Sequence, residues 1–406
     1  MASICLAGVA SAQAPAASIL IFPRVVADGT ADTLIQIANA SNRRTYLRCS
    51  YVTAAGAAEP FELVLQGQQP THWVVSRGRA VDPDDAPCDR NEGRSDCDGA
   101  GLDPGAVPAV AAPFAGGLVC VQLDRSGAPL SGNALRGQAT LSPGDGDVAA
   151  YEALGLRGFP ANDADDLLCV EGLAIPGCAS AEYSACPSEW RLLHAADGAP
   201  AALDPERRRV HGALTALPCA LALGAASAAL ELRVTSTDDL DQTFSATAAL
   251  PPLATTALAD LSPILASAAG GSARHTRLAA DAGFALVAES ERRLAGDDPA
   301  PSGRTASSAG GDETGAALIA LPYLLVDAAR GADTTVQIAN TSGQPLRAQC
   351  VYEATTPVCL SGGPADSCLP GGPGCASPCQ PIHTTTAFDL ALAGGQTLAW
   401  RAGSGL

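Results

Sequence analysis

Apolar and polar residues alternate with a period of two along much of this chain. In "TLIQIAN" (33–39), Leu34 and Gln36 take one face and Ile35 and Ile37 the other. In "FELVLQG" (61–67), Phe61, Leu63 and Leu65 share one side. Such alternation predicts strands with a buried face. Between them stand "NASN", "NTSG", "LQGQQ" and "LAGGQ", whose Asn and Gly residues suit tight turns. Two longer apolar runs, "SILIFPRVVAD" (18–28) and "ALIALPYLLVD" (317–327), are interrupted by Pro23 and Pro322. A proline removes a ladder donor, so each run predicts an edge strand that bends or switches partner.

The pattern is written twice. "ADTLIQIANAS" (31–41) returns as "ADTTVQIANTS" (332–342), and "RTYLRCSYV" (44–52) as "PLRAQCVYE" (345–353). This sets Cys49 on Cys350 and Tyr51 on Tyr352. "FELVLQGQQPTHW" (61–73) matches "FDLALAGGQTLAW" (388–400) without a gap, so Trp73 answers to Trp400. Both tryptophans are expected to close a core. The sequons at Asn39 and Asn340 read as turn residues.

Short strands punctuated by turns predict an all-β chain of tandem immunoglobulin-like β-sandwich domains. The expected organisation is an export signal over 1–14, a first sandwich over 15–142 and a second β-rich sandwich over 143–293. A flexible linker over 294–315 then leads to a partial second copy of the first module over 316–406. Within the middle region, 255–268 reads as one short helix. The first copy continues to "GLVCVQLD" (117–124), which has no counterpart before Leu406. The last sandwich is therefore expected to be incomplete, as part of a longer protein.

Composition narrows the function classes. The 406 residues carry a net charge of −18, which disfavours nucleic acid, since neutralising phosphates takes clustered cations. Aromatics make up 4%, so the cores must be built from Val, Leu, Ile and Ala, which suits thin sheet-on-sheet packing. At the N-terminus, an apolar stretch leads into "ASA", a small-residue cleavage site after Ala12. No later segment has the ~20 uninterrupted apolar residues of a membrane helix.

Export predicts disulfides. The 14 cysteines less Cys5 leave an odd number in the mature chain. Cys88 and Cys97 flank a polar loop and make a local pair. Cys49 and Cys120 fall on strands of one module. Cys169, Cys178, Cys186 and Cys219 supply two bridges, and Cys359, Cys368, Cys375 and Cys379 two more, of open connectivity. Cys350 is left over by this count, its expected partner lying downstream of Leu406. The spacing of Cys375, Cys379 and His383 also resembles a zinc set, but export and the Gly/Pro-rich loop favour disulfides.

No cofactor is expected: the acidic segments read first as solvated loops, with calcium as the alternative. Aspartates cluster over 82–103, where Asp96, Asp98 and Asp103 offer oxygens on a turning loop, although the order of a full EF-hand loop is missing. Catalytic signatures are absent: there is no Gly-x-Ser-x-Gly elbow and no His-Glu-x-x-His. His72, His194, His211, His275 and His383 are scattered, and nothing marks Ser188, beside Glu189, as a nucleophile. The chain is therefore read as a non-enzyme.

The segments quoted above, with "THWVVSRGRAVDP" (71–83) and "GAPLSGNALRGQAT" (127–140), resemble a group of predicted secreted bacterial proteins. The resemblance covers 17 to about 220 and again 316 to 400. It implies export and sandwich modules and brings no established activity, so no functional residue is carried over. Between the repeat's matched strands, "VTAAGAAEP" in the first copy is replaced by a long cysteine-bearing insertion in the second. A fixed scaffold with a variable loop suits a binding module. The expectation is an extracellular or cell-surface structural or binding protein, adhesin-like in a broad sense, whose partner is an extracellular protein or glycan. The alternative is a secreted hydrolase or its carbohydrate-binding accessory region.

Overall fold

The computed structural model describes residues 15–57, 60–81, 101–143, 149–160, 165–195, 209–224, 229–238, 242–261, 273–293, 304–307, 326–327, 332–333, 335–340, 345–359, 379–393 and 396–401. The alternating segments are strands throughout, and the protein is all-β.

The first ten strands are β1 (Ile19–Ala27), β2 (Ala31–Asn39), β3 (Thr45–Thr53), β4 (Gly56–Ala57), β5 (Phe61–Leu65), β6 (Pro70–Val74), β7 (Phe114–Leu123), β8 (Leu135–Pro143), β9 (Ala149–Glu152) and β10 (Leu154–Leu156). They form one hydrogen-bonded array that folds into two layers. One layer runs β5-β3-β7-β1-β10 and the other β6-β2-β8-β9, joined where Ala27 of β1 meets Asp32 of β2. Leu47, Tyr51, Phe61 and Leu63 of the first layer pack on Ile35, Ile37, Trp73 and Leu141 of the second. Each such side chain contributes about 1.5–3 kcal/mol on burial. Because β9 and β10 pair with β8 and β1, the sandwich runs on to Leu156 rather than stopping at 142.

An aromatic cluster fixes the spacing of the layers. The Phe61 and Trp73 rings meet edge-on at 6.0 Å, and the Trp73 indole N–H donates to the Tyr51 hydroxyl at 2.9 Å. At the opposite end, Asn39 is 1% exposed. Its amide donates to the carbonyls of Arg43 (2.6 Å) and Gln66 (2.8 Å), while its Oδ1 accepts from Ser41 N–H at 2.9 Å. Burial and full hydrogen bonding make Asn39 a turn lock, and truncating it would leave buried carbonyls unmet at about 1–3 kcal/mol.

Pro23 does not mark an edge strand. β1 is central, with β7 on one side and β10 and β2 on the other. The proline sits at a bulge, where the register with β7 shifts between Phe22 and Val25. β1 is buried on both faces, which explains why apolar residues fill consecutive positions on either side of Pro23 and Arg24.

The second face of β1 is covered by the middle sandwich. That unit comprises β11 (Glu189–Ala195), β12 (Arg209–Pro218), α1 (Cys219–Ala222), β13 (Leu230–Asp238), β14 (Thr243–Leu250), β15 (Thr255–Ala257), α2 (Leu258–Leu261), β16 (Ala273–Ala279), β17 (Phe284–Arg293) and β18 (Arg304–Ser307). Its sheets, β11-β16-β13-β14 and β15-β12-β17-β18, enclose Trp190, Leu214, Leu232, Val234, Leu278 and Leu286. Ile19, Ile21, Val119 and Val121 of the first sandwich share a cluster with Leu217, Leu253 and Ala285 of the second. Arg24 reaches across, donating to the Thr215 hydroxyl at 3.1 Å and to that of Thr255, while Tyr151 holds the Arg24 backbone.

Two expectations change here. The helix expected over 255–268 is a three-residue strand followed by a single helical turn, its remainder lying outside the described residues. Part of the expected linker, 304–307, is β18 and pairs with β17.

The last described strands are β19 (Val326–Asp327), β20 (Ala332–Asp333), β21 (Thr335–Ala339), β22 (Leu346–Cys359), β23 (Cys379–Leu392) and β24 (Thr397–Arg401). Their pairing repeats that of the first sandwich. Val336 faces Trp400 as Ile35 faces Trp73, and Cys350 faces Phe388 as Cys49 faces Phe61. The Phe388 and Trp400 rings meet edge-on at 5.8 Å. Asn340, 3% exposed, donates to the carbonyl of Ala393 at 2.9 Å, as Asn39 does to that of Gln66.

Burial pushes the Tyr51 phenol up to about 12, against the opposing effect of the Trp73 hydrogen bond. The folded state thus holds this proton more tightly than the unfolded chain, whose tyrosines titrate near 10. The stabilisation is complete below pH 10 and is lost as pH rises through about 12. Phenolate absorbance of the native protein should therefore include the Tyr51 step near pH 12, and Tyr51→Phe should lower the amplitude there by one tyrosine. An unchanged titration in the variant would contradict the assignment.

Candidate functional site

Disulfides anchor the elements that could carry a site. Cys49 of β3 and Cys120 of β7 face each other on neighbouring strands and are bonded across a sequence separation of 71. Both are fully buried. By loop-closure entropy such a bridge stabilises by about 2–4 kcal/mol. Cys169 bonds to Cys178 within a local loop, and Cys186 bonds to Cys219 at the start of α1. The Cys186–Cys219 bridge lies in the cluster between the two sandwiches. Cys88, Cys97, Cys368 and Cys375 lie outside the described residues. Cys350, half-buried, packs beside Phe388 against Val336, Leu390 and Trp400.

Of the three aspartates named for calcium, Asp103 lies among the described residues. Its carboxylate is taken by Arg79, with Nη1–Oδ1 at 2.5 Å and Nη2–Oδ2 at 2.9 Å. The Gly105 N–H also donates to Oδ1 at 2.7 Å. This fork-to-fork pair ties the returning loop to the turn after β6, and a cation there would have to displace a guanidinium. Asp96 and Asp98 lie outside the described residues. Among the described residues, no group of three His, Cys, Asp or Glu side chains is poised to hold a metal.

The zinc-like spacing near the C-terminus also reads differently in three dimensions. Cys379 and His383 both lie on β23, four residues apart along one strand. At about 3.3 Å per residue they are separated by roughly 13 Å, whereas zinc draws its ligand atoms to within about 2.0–2.3 Å of one ion.

The histidines occupy unrelated places. His72 is exposed on β6, His211 lies on β12, and His275 lies on β16, where burial and the Arg191 charge lower its pKa. His194 belongs to a polar string that the sequence reading missed. Its Nε2 lies 2.7 Å from the Thr276 hydroxyl, which in turn donates to the Ser236 hydroxyl at 3.0 Å. A Ser, a Thr and a His in line invite comparison with a nucleophile relay. Here the Thr276 hydroxyl donates to Ser236, and which partner donates between His194 and Thr276 depends on the imidazole tautomer. Both hydroxyls are fully buried, out of reach of any substrate. The string satisfies polar groups at one end of the middle core. Ser188 is exposed, and the neighbouring Glu189 carboxylate is held below its ordinary range by the hydrogen bond from Arg277, with Arg191 adding to it.

The described element that differs most between the two copies is the hairpin of β22 and β23. Each strand has 14 residues, against nine and five for β3 and β5, its counterparts in the first copy. The part nearer the core, from Leu346 opposite Leu392 to Cys350 opposite Phe388, follows the β3–β5 register. The outer half, 353–359 with 379–385, continues as a two-stranded ribbon with no further strand beside it among the described residues.

No protein-family model, curated protein or solved structure matches the chain. No helix among the described residues is long and apolar enough to cross a membrane.

Asp103→Ala should lower unfolding free energy by about 2–4 kcal/mol, because it strands a largely buried guanidinium. The loss should be the same with calcium and with a chelator. Calcium-dependent stabilisation of the native protein that vanishes in the variant would restore Asp103 as a ligand.

Proposed function

We propose that this chain is a secreted or cell-surface binding or structural protein, adhesin-like in a broad sense. In this reading it is built from tandem immunoglobulin-like β-sandwich modules and engages an extracellular protein or glycan. The observation that carries the reading is the contrast between the two copies of the repeat. The pairing of Ile35 with Trp73 and of Cys49 with Phe61, and the Asn39 lock, recur at Val336, Cys350 and Asn340. The connection between the next two strands does not recur: a short turn in one copy is a long ribbon in the other. A rigid frame with one enlarged hairpin is how a scaffold presents a contact element. Three buried or local disulfides, suited to an oxidising compartment, support export.

The test uses the full chain made with export, applied to a glycan array and to matrix polymers in pull-downs. The comparison is a variant in which 354–387 is replaced by the first copy's "TAAGAAEP". The native protein should be retained, and the variant, still folded, should bind at least about tenfold more weakly. Equal binding by both, or turnover of a polymer in an activity screen, would overturn the reading.

A further inference from the structure

The outer half of the β22–β23 ribbon ends in a geometry that assigns a covalent bond. The ladder runs from Leu346↔Leu392 to Cys359↔Cys379 without a register shift, and Pro357 lies directly opposite Pro381. In an antiparallel pair, opposed residues alternate between sites that exchange two N–H···O bonds and sites that exchange none. A proline has no N–H, so two opposed prolines can occupy only a site that exchanges none. Two residues further on, the pair Cys359↔Cys379 has the same parity and is also a non-hydrogen-bonded site. At such a site the α-carbons approach to about 4.5 Å, within the range a disulfide spans.

The same protein already uses this arrangement. Cys49 and Cys120 are directly opposed on β3 and β7, with a Cα–Cα distance of 4.0 Å, and are bonded.

We propose that Cys359 and Cys379 form a cross-strand disulfide that closes the ribbon at its outer end. Formation removes one proton from each thiol and passes two electrons to a disulfide-exchange partner of the exporting compartment, itself a disulfide that is reduced. The inference rests on the proposed export. It also supplies what the ribbon otherwise lacks, because an isolated two-stranded hairpin is marginal in water. The bond locks the register and holds the connection between the strands at a fixed span. This pairing selects one of the three connectivities open to Cys359, Cys368, Cys375 and Cys379.

The experiment is non-reducing peptide mapping of the full exported chain, alkylated before digestion. Cleavage at acidic residues and fragmentation that opens disulfides locate each link. The expected result is Cys359 linked to Cys379. Linkage of Cys359 to Cys368 or Cys375, or alkylation of Cys359 and Cys379, overturns the proposal. In the alkylated case, Cys49–Cys120 in the same digest separates two failures: an intact bridge leaves export standing, and an open one removes export as well. As a second readout, Cys359→Ser with Cys379→Ser should be cut by protease within 353–385 roughly tenfold faster or more, while Tyr51 still titrates near pH 12. An unchanged cleavage rate would count against the bond.

Discussion

The structure depends on one strand being buried on both faces. β1 hydrogen-bonds at the centre of the first sandwich, and its side chains point alternately into two different cores. Leu20 and Phe22 enter the core shared with Trp73, while Ile19 and Ile21 enter the cluster shared with Leu217 and Ala285. Pro23, at the bulge, lets the strand change register without leaving the sheet. Arg24 then leans out to Thr215 and Thr255, so one short segment carries both the apolar and the polar contacts between the two sandwiches. A polar substitution at Ile21 would therefore be felt in the middle sandwich as well as the first.

The repeated frame follows a different logic. Its fixed points are an aromatic edge-to-face pair at one end and a buried asparagine at the other. They recur as Phe61–Trp73 with Asn39 and as Phe388–Trp400 with Asn340. Each satisfies what a sandwich must satisfy: layer spacing by a large rigid side chain, and turn carbonyls by a donor that reaches them. With those needs met locally, the hairpin between the second and third matched strands is free to differ in length. That freedom is what the binding proposal uses.

Local patterns were legible in the sequence wherever a strand has one wet face. "FELVL" shows its inward Phe61, Leu63 and Leu65 directly, and Trp73 and Trp400 declare themselves by recurring at matched strand ends. Strands buried on both faces lose the alternation, so β1 read as a broken edge strand when it is central. Features made by distant segments left no trace in spacing. Arg79 meets Asp103, and His194 meets Thr276 and Ser236, only because the chain folds back, and an acidic loop alone suggested calcium. The pairing of Cys186 with Cys219 is of the same kind. Composition also hid β18, because 304–307, within a stretch rich in Gly, Pro and Ser, pairs with an edge that β17 leaves open.

The central claim, that two sandwiches are built around one doubly buried strand, is tested most directly by native-state hydrogen exchange in increasing denaturant. Amides of β1, β7, β12 and β17 should exchange with one common opening free energy, at the slow end of the molecule, and merge into a single unfolding isotherm. If β12 and β17 open at markedly lower denaturant while β1 stays protected, the sandwiches are independent units and the account is contradicted.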